Sequence, residues 1–112
     1  MAPPLARYVA RLVGASDPAS PDCAESAKRW LRFGAGVRGA QSLLLAAKTA
    51  ALMAGRAHVA FEDLRRVAKP ALRHRLIPNF EAEADGITTD RVLDALLDEV
   101  PEAPPAVAAL VS

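Results

Sequence analysis

Apolar residues recur every three or four positions along most of this chain and almost nowhere alternate, so the pattern predicts helices. Leu5, Tyr8, Val9, Leu12 and Val13 make one stripe, predicting a first helix that opens behind Pro3-Pro4 and stops at Gly14. A turn-rich stretch, Ser16-Asp17-Pro18-Ala19-Ser20-Pro21, follows it. Residues 22–33 suggest a short helix in which Trp30 and Phe33, three apart, share a face at the edge of the core. A long Ala/Leu helix over 37–54 is apolar on most faces, so it is expected at the centre of the bundle, with Gly55 ending it. Leu64, Val67, Ala68, Ala71 and Leu72 keep helical spacing from Phe61 onward, with a kink or break expected at Pro70 because its ring clashes with the carbonyl of Arg66. Residues 77–86 have no clear period and end at Gly86. Thr88 then caps a last helix, with Ile87 stapled onto Val92, a stripe of Val92, Leu93, Leu96, Leu97 and Val100, and Pro101 as the stop. No strand and no internal repeat stand out. The fold expected is all-α, a small four-to-five-helix bundle with no substantial sheet. Residues 1–101 form the domain, and 102–112 form a flexible Pro/Ala-rich tail.

Composition narrows the function classes. The 112 residues suffice for one small domain. More than half are apolar, but alanine supplies much of that, so the core is built from small side chains. A formal net charge of +1 provides no global field for nucleic acid or anionic membrane. The single cysteine, Cys23, excludes an internal disulfide and a cysteine-based metal site and fits a cytoplasmic setting. No signal peptide is expected, and Lys48 and Thr49 interrupt the longest apolar helix, so no membrane insertion is expected either.

The chemistry concentrates in Gly34-Ala35-Gly36-Val37-Arg38-Gly39, at the mouth of the long helix. Arg38 is misplaced if stability alone matters, because a helix N-terminus carries partial positive charge and costs a cation roughly 0.3–1 kcal/mol. No Ser, Thr, Asp or Asn occupies the expected cap, so the first amides lack an obvious side-chain acceptor. Free amides, flexible glycines and a guanidinium make an anion site, with phosphate its natural ligand; a surface arginine bonded to a nearby loop is the plain alternative. Gly34 and Gly39 have the G-x-x-x-x-G separation of a P-loop, but Ala40 and Gln41 stand where Lys and Ser/Thr belong, and no apolar strand precedes them. A nucleotide-binding P-loop is therefore excluded.

Other constellations are weaker. Arg65, Arg66, Lys69, Arg73, His74 and Arg75 form a basic run, which reads as a solvated face paired with Glu62, Asp63, Glu81, Glu83 and Asp85. His58 and His74 are too isolated for zinc and are expected to be hydrogen-bonded structural histidines, so no metal site is assigned. Cys23 has no partner histidine near it and is not a candidate nucleophile.

Taken together these strings resemble the C-terminal helical lid of MoxR-type AAA+ ATPases, from about Leu5 to Pro101. Gly34-Ala35-Gly36-Val37-Arg38-Gly39 is similar to the family's G-A-[SG]-P-R-[AG] second-sensor string. Gly55-Arg56, Val59 and Asp63-Leu64 resemble its G-R-x-x-V-x-x-x-D-[VI] segment, and Leu72-Arg73-His74-Arg75-Leu76 its L-R-H-R-[LI] signature. Asn79, Glu81, Glu83, Gly86 and Thr88 keep the order of an N-x-E-A-E-x-x-G-x-[TS] stretch. Two departures stand out: Val37 replaces the usual proline, which implies a looser loop, and Ala60 replaces a Ser/Thr cap, at a cost of roughly 0.5–2 kcal/mol.

The resemblance implies a lid that closes over ATP and Mg²⁺ held mainly by a nucleotide-binding core that these residues do not include. Gly36, Val37, Arg38 and Gly39 would meet the nucleotide, and Arg38 would sense phosphate and stabilise the transition state. The implied partners are the lid's own AAA+ core, neighbouring subunits of a ring, commonly a hexamer, and von Willebrand A domain proteins, in chaperone-like remodelling. These residues alone carry no Walker motif, so no hydrolysis is expected of them. Two further classes stay open: a free-standing helical interaction adaptor, and a basic-helix DNA-binding domain that the balanced charge disfavours.

Overall fold

The computed structural model describes residues 3–102, so of the tail expected over 102–112 only Glu102 is described, and it is held by Arg11 and Arg65; 103–112 lie outside the described residues. Six helices and one two-stranded sheet follow in the order α1 (Pro3–Ala15), α2 (Glu25–Trp30), β1 (Leu31–Phe33), α3 (Gly36–Met53), α4 (Phe61–Leu72), β2 (Ile77–Pro78), α5 (Phe80–Ala84) and α6 (Thr89–Glu99). The fold is a helical bundle, as the spacing predicts. Leu5, Tyr8, Leu12, Leu43, Leu64, Leu72, Leu93 and Leu96 fill its core, and Tyr8 meets Phe61 edge-on at 5.5 Å.

Several expectations change. Gly14 does not stop α1, which runs one residue further to Ala15. The helix expected over 22–33 is shorter: it ends at Trp30, where Leu31 turns to extended geometry and begins β1. β1 pairs antiparallel with β2, Phe33 opposite Ile77 and Leu31 opposite Pro78. Periodicity cannot reveal strands of three and two residues, since an alternation needs more positions than that to register. Phe33 therefore leaves the helical face shared with Trp30 and stands 55% exposed, while Trp30 is half-buried under the Arg29 guanidinium, 4.6 Å from its ring.

The largest correction concerns α3. It is not buried on most faces. Gly39, Leu43, Ala47 and Ala51, every fourth residue, form its buried stripe against α4 and α1. Val37, Leu45, Leu52 and Met53 point away, at 74, 68, 71 and 85% exposure. High apolar content identified the helix correctly but not its environment, because the rest of this small domain has too little surface to surround it.

Of the kink or break expected at Pro70, the break does not occur. α4 continues through it and ends at Leu72, two residues later, with Arg73-His74-Arg75 in a turn. Pro70 leaves the Arg66 carbonyl without its helical N–H donor, and α4 ends within two residues of it. The unpatterned stretch 77–86 contains β2 and the five-residue α5. Asn79 organises it: its side-chain oxygen accepts from Ala82 N–H at 2.9 Å, its amide donates to the Arg29 carbonyl at 2.8 Å, and its backbone N–H donates to the Trp30 carbonyl at 2.9 Å. Thr88 caps α6 as expected, accepting from Arg91 N–H at 3.2 Å.

Candidate functional site

The site begins with the loop between β1 and α3. Gly34 lies against the end of α1: a Cβ there would fall 2.5 Å from the Ser16 carbonyl oxygen and 2.8 Å from the Asp17 nitrogen. Only glycine lets the two backbones approach so closely. The Ser16 hydroxyl, 2% exposed as a residue, donates to the Val13 carbonyl at 2.6 Å and accepts from Ala35 N–H at 3.0 Å. Gly36 then takes φ +68°, a left-handed conformation, and α3 starts there. The expected looseness at Val37 is accordingly offset, since Ser16 and Gly34 anchor the loop from α1.

The first turn of α3 brings Gly36, Val37, Arg38 and Gly39 together. No side chain caps it, and Ala35 at the cap position has helical dihedrals. Val37 and Arg38 are exposed, whereas Gly39 is buried. A Cβ on Gly39 would lie 2.5 Å from the Ala35 Cβ and 3.3 Å from Leu72 Cδ2, so its missing side chain lets α3 close on α4. These glycines act as contacts and one special backbone angle, rather than as a flexible cradle. Arg38 makes no ion pair among the described residues. An apolar-walled hollow of about 440 Å³, lined in part by Ala10, Val13, Phe33 and Val37, opens beside this turn. A second cavity of about 690 Å³, lined in part by Cys23, Glu25 and Glu99, includes no residue of α3.

The remaining charged residues hold the domain together. Asp63 was expected on a solvated face, but its side chain is 0% exposed. Both its oxygens accept from Arg56, one at 2.7 Å, and it also accepts from Ala60 N–H at 2.8 Å. Ala60 has no side-chain acceptor, so the start of α4 relies on this single reciprocal bond. The Arg56 guanidinium first, then the Ala60 amide, pull the Asp63 carboxyl down from 3.8 to about 2. Arg73 grips Asp90 with two bonds, at 2.7 and 3.0 Å, joining the end of α4 to the start of α6 and lowering the Asp90 pKa. Lys69 meets Asp94 at 2.7 Å, Arg66 meets Glu62 and Arg65 meets Glu102, both at 3.2 Å. Arg65, Arg66, Lys69 and Arg73 of the basic run are thus paired, mainly with α6 and the segment after it, whereas His74 and Arg75 make no ion pair, and Glu81, Glu83 and Asp85 supply no partner, among the described residues. His58 and His74 are exposed, and neither side chain makes a hydrogen bond within the described residues, so the hydrogen-bonded structural role expected of them is not seen there.

Two positioning features escaped the sequence reading. Ser16 looked like one turn residue among many, and the Arg56–Asp63 pair was visible only as two letters of one motif. The signal for the pair is the spacing G-R-x-x-V-x-x-x-D, which the fold closes into a clamp; Ser16 carries no such signal, since its partner Ala35 lies on another element.

Comparison with known proteins agrees with this architecture. Residues 23–96 match the AAA lid domain family. The chain is 35% identical over 96 residues to Chaperone MoxR1 of Mycobacterium tuberculosis, a match covering 86% of this chain and 26% of that protein. A crystal structure from Cytophaga hutchinsonii, assigned as an ATPase, superposes with a TM-score of 0.80 at 36% identity, over 89% of this chain and 30% of the other. The chain therefore spans about a quarter to a third of the length of these relatives. By its fold, its ordered motifs and these matches, the chain belongs to the AAA lid domain family and is a lid of the MoxR type.

Proposed function

We propose that this domain is the lid of an ATP-hydrolysing MoxR-type AAA+ protein, closing over nucleotide bound by an α/β core. The observation that carries this reading is Arg38, an exposed guanidinium without an ion-pair partner among the described residues, on an uncapped, firmly anchored helix mouth. Those features fit a phosphate: the guanidinium fork matches its oxygens, and the first amides of α3 add aligned donors. The described residues offer no group of three His, Cys, Asp or Glu placed to hold Mg²⁺, so the metal ion belongs to the core in this reading. ATP supplies the phosphoryl group to be transferred. Arg38 then binds terminal phosphate oxygens, and its fixed charge opposes the negative charge that develops there.

The exposed apolar face of α3, with Val37, Leu45 and Leu52, supports a domain that works while covered by another. In this reading the cover is the core, and lid movement is passed to neighbouring subunits of a ring, expected to be a hexamer, in chaperone-like remodelling of clients that include von Willebrand A domain proteins. A cytoplasmic site is the setting in which such a machine meets ATP. A free-standing adaptor would use the same face; a G-x-x-x-x-G-K-[ST] string in the same polypeptide discriminates the lid from it.

The test is Arg38→Ala in a polypeptide carrying both lid and core. Steady-state ATP hydrolysis is expected to fall about 10²–10³-fold, as when a preorganised donor to a transition-state oxyanion is lost. Arg38→Lys should rescue poorly, because a point charge does not reproduce the planar fork. Undiminished hydrolysis by Arg38→Ala would remove the phosphate-sensing role.

A further inference from the structure

We infer that Arg75 is a second phosphate-binding arginine at the mouth of α3, acting beside Arg38; this rests on the phosphate role proposed for Arg38. Antiparallel pairing of Phe33 with Ile77 makes the residues just before β2 run beside those just after β1, the loop that leads into α3. Arg75 lies in that stretch. A Cβ on Gly39, the neighbour of Arg38, would lie 3.9 Å from the Arg75 Cβ. The glycine therefore leaves the stem of Arg75 lying directly against the first turn, while the rest of the side chain is free to extend, because Arg75 is exposed.

Charge pairing separates this arginine from its neighbours in sequence. Arg65, Arg66, Lys69 and Arg73 each have a carboxylate within 3.2 Å. Arg75 and Arg38 have none within ion-pair reach among the described residues. Two like charges at one helix mouth, without a counter-charge, repel each other and also meet an unfavourable helix dipole. An anion with several oxygens relieves both effects, and a polyphosphate offers oxygens to two guanidinium forks at once. The L-R-H-R string thus divides its labour: Leu72 and Leu76 are buried in the core, Arg73 clamps α6, and Arg75 serves the nucleotide.

The experiment titrates the 112-residue chain with inorganic tripolyphosphate and follows the amide resonances of Gly36 to Gly39 by NMR, with thermal melting of each variant as the folding control. The parent chain should bind saturably, with shifts centred on those amides. Arg75→Ala should bind about tenfold more weakly, the loss expected of one charge-assisted hydrogen bond. Arg75→Lys should recover part of that loss. Arg91→Ala, removing an exposed α6 cation, should bind like the parent. Arg75→Ala binding no more weakly than Arg91→Ala, while Arg38→Ala loses affinity, overturns the inference and leaves the Arg38 reading standing. Unchanged binding by Arg38→Ala overturns the Arg38 reading itself. No saturable binding by the parent overturns the inference, as does unfolding by both Arg75→Ala and Arg75→Gln, which would make Arg75 structural.

Discussion

Arginines do the same work at the two ends of α4 and different work at the mouth of α3. Near its start, Arg56 is held by a fully buried carboxylate, and in the turn after its end Arg73 is gripped by both oxygens of Asp90. Across the small sheet, at the mouth of α3, Arg38 and Arg75 have no such partner among the described residues. A protein that pairs its cations carefully in one region and leaves them bare in another is treating the second set as something other than struts. Removing a strut should cost stability, and removing a bare cation should not.

The strongest way to break that contrast is at Asp63. Asp63→Asn keeps the shape but leaves Arg56 without a counter-charge, and it should lower the melting temperature on the order of 10 °C, the largest effect of the set. The same variant changes the acid response. The folded Asp63 carboxyl titrates near 2, below its ordinary 3.8, so its contribution is complete above that ordinary value and is lost as pH falls from about 4 toward 2. Asp63→Asn should flatten much of that acid limb in chemical denaturation, with Asp90 supplying the residual slope. An unchanged acid limb would show that the clamp is not formed in solution.

Next in size is Gly34→Ala. A Cβ placed 2.5 Å from a backbone oxygen forces the loop off α1, and the cost should be about 1–3 kcal/mol in urea unfolding, comparable to an overpacked core position. Loss of the Ala35–Ser16 bond should appear as faster hydrogen exchange of the Ala35 amide. Full retention of stability would mean that the mouth is not anchored there.

The smallest effect sharpens the contrast most. Arg38→Ala should leave the melting of the isolated domain within about 0.5 kcal/mol of the parent, since it removes an exposed cation with no ion-pair partner among the described residues. A loss as large as that of Asp63→Asn would move Arg38 into the structural set.

The helices were legible because their stripes are long and their signals local: Thr88, Gly55 and Pro101 each mark an end by their own backbone chemistry. The burial of α3 was not legible. Periodicity reports which residues are apolar, and exposure of Leu45 and Leu52 depends on what else surrounds the helix. Strands as short as β1 and β2 carry no period. Arg38 stood out because its charge opposes the helix dipole, a conflict visible in the sequence alone. Asp63 did not stand out, because a carboxylate among arginines looks the same whether exposed or sealed. The anchoring of Gly34 on Ser16 needed the fold, since it joins residues from two different elements.

That anchoring has a mechanical meaning. A force applied at Arg38 enters the first turn of α3, and this turn has almost no slack. Ser16 and Gly34 tie its leading loop to α1, and the bare Gly39 seats it on Leu72 of α4. A tug at the guanidinium cannot be absorbed by bending the loop; it loads two neighbouring helices at once. The domain should answer such a load by swinging as a single stiff arm, so that a small displacement at the mouth becomes a larger one at its far edge.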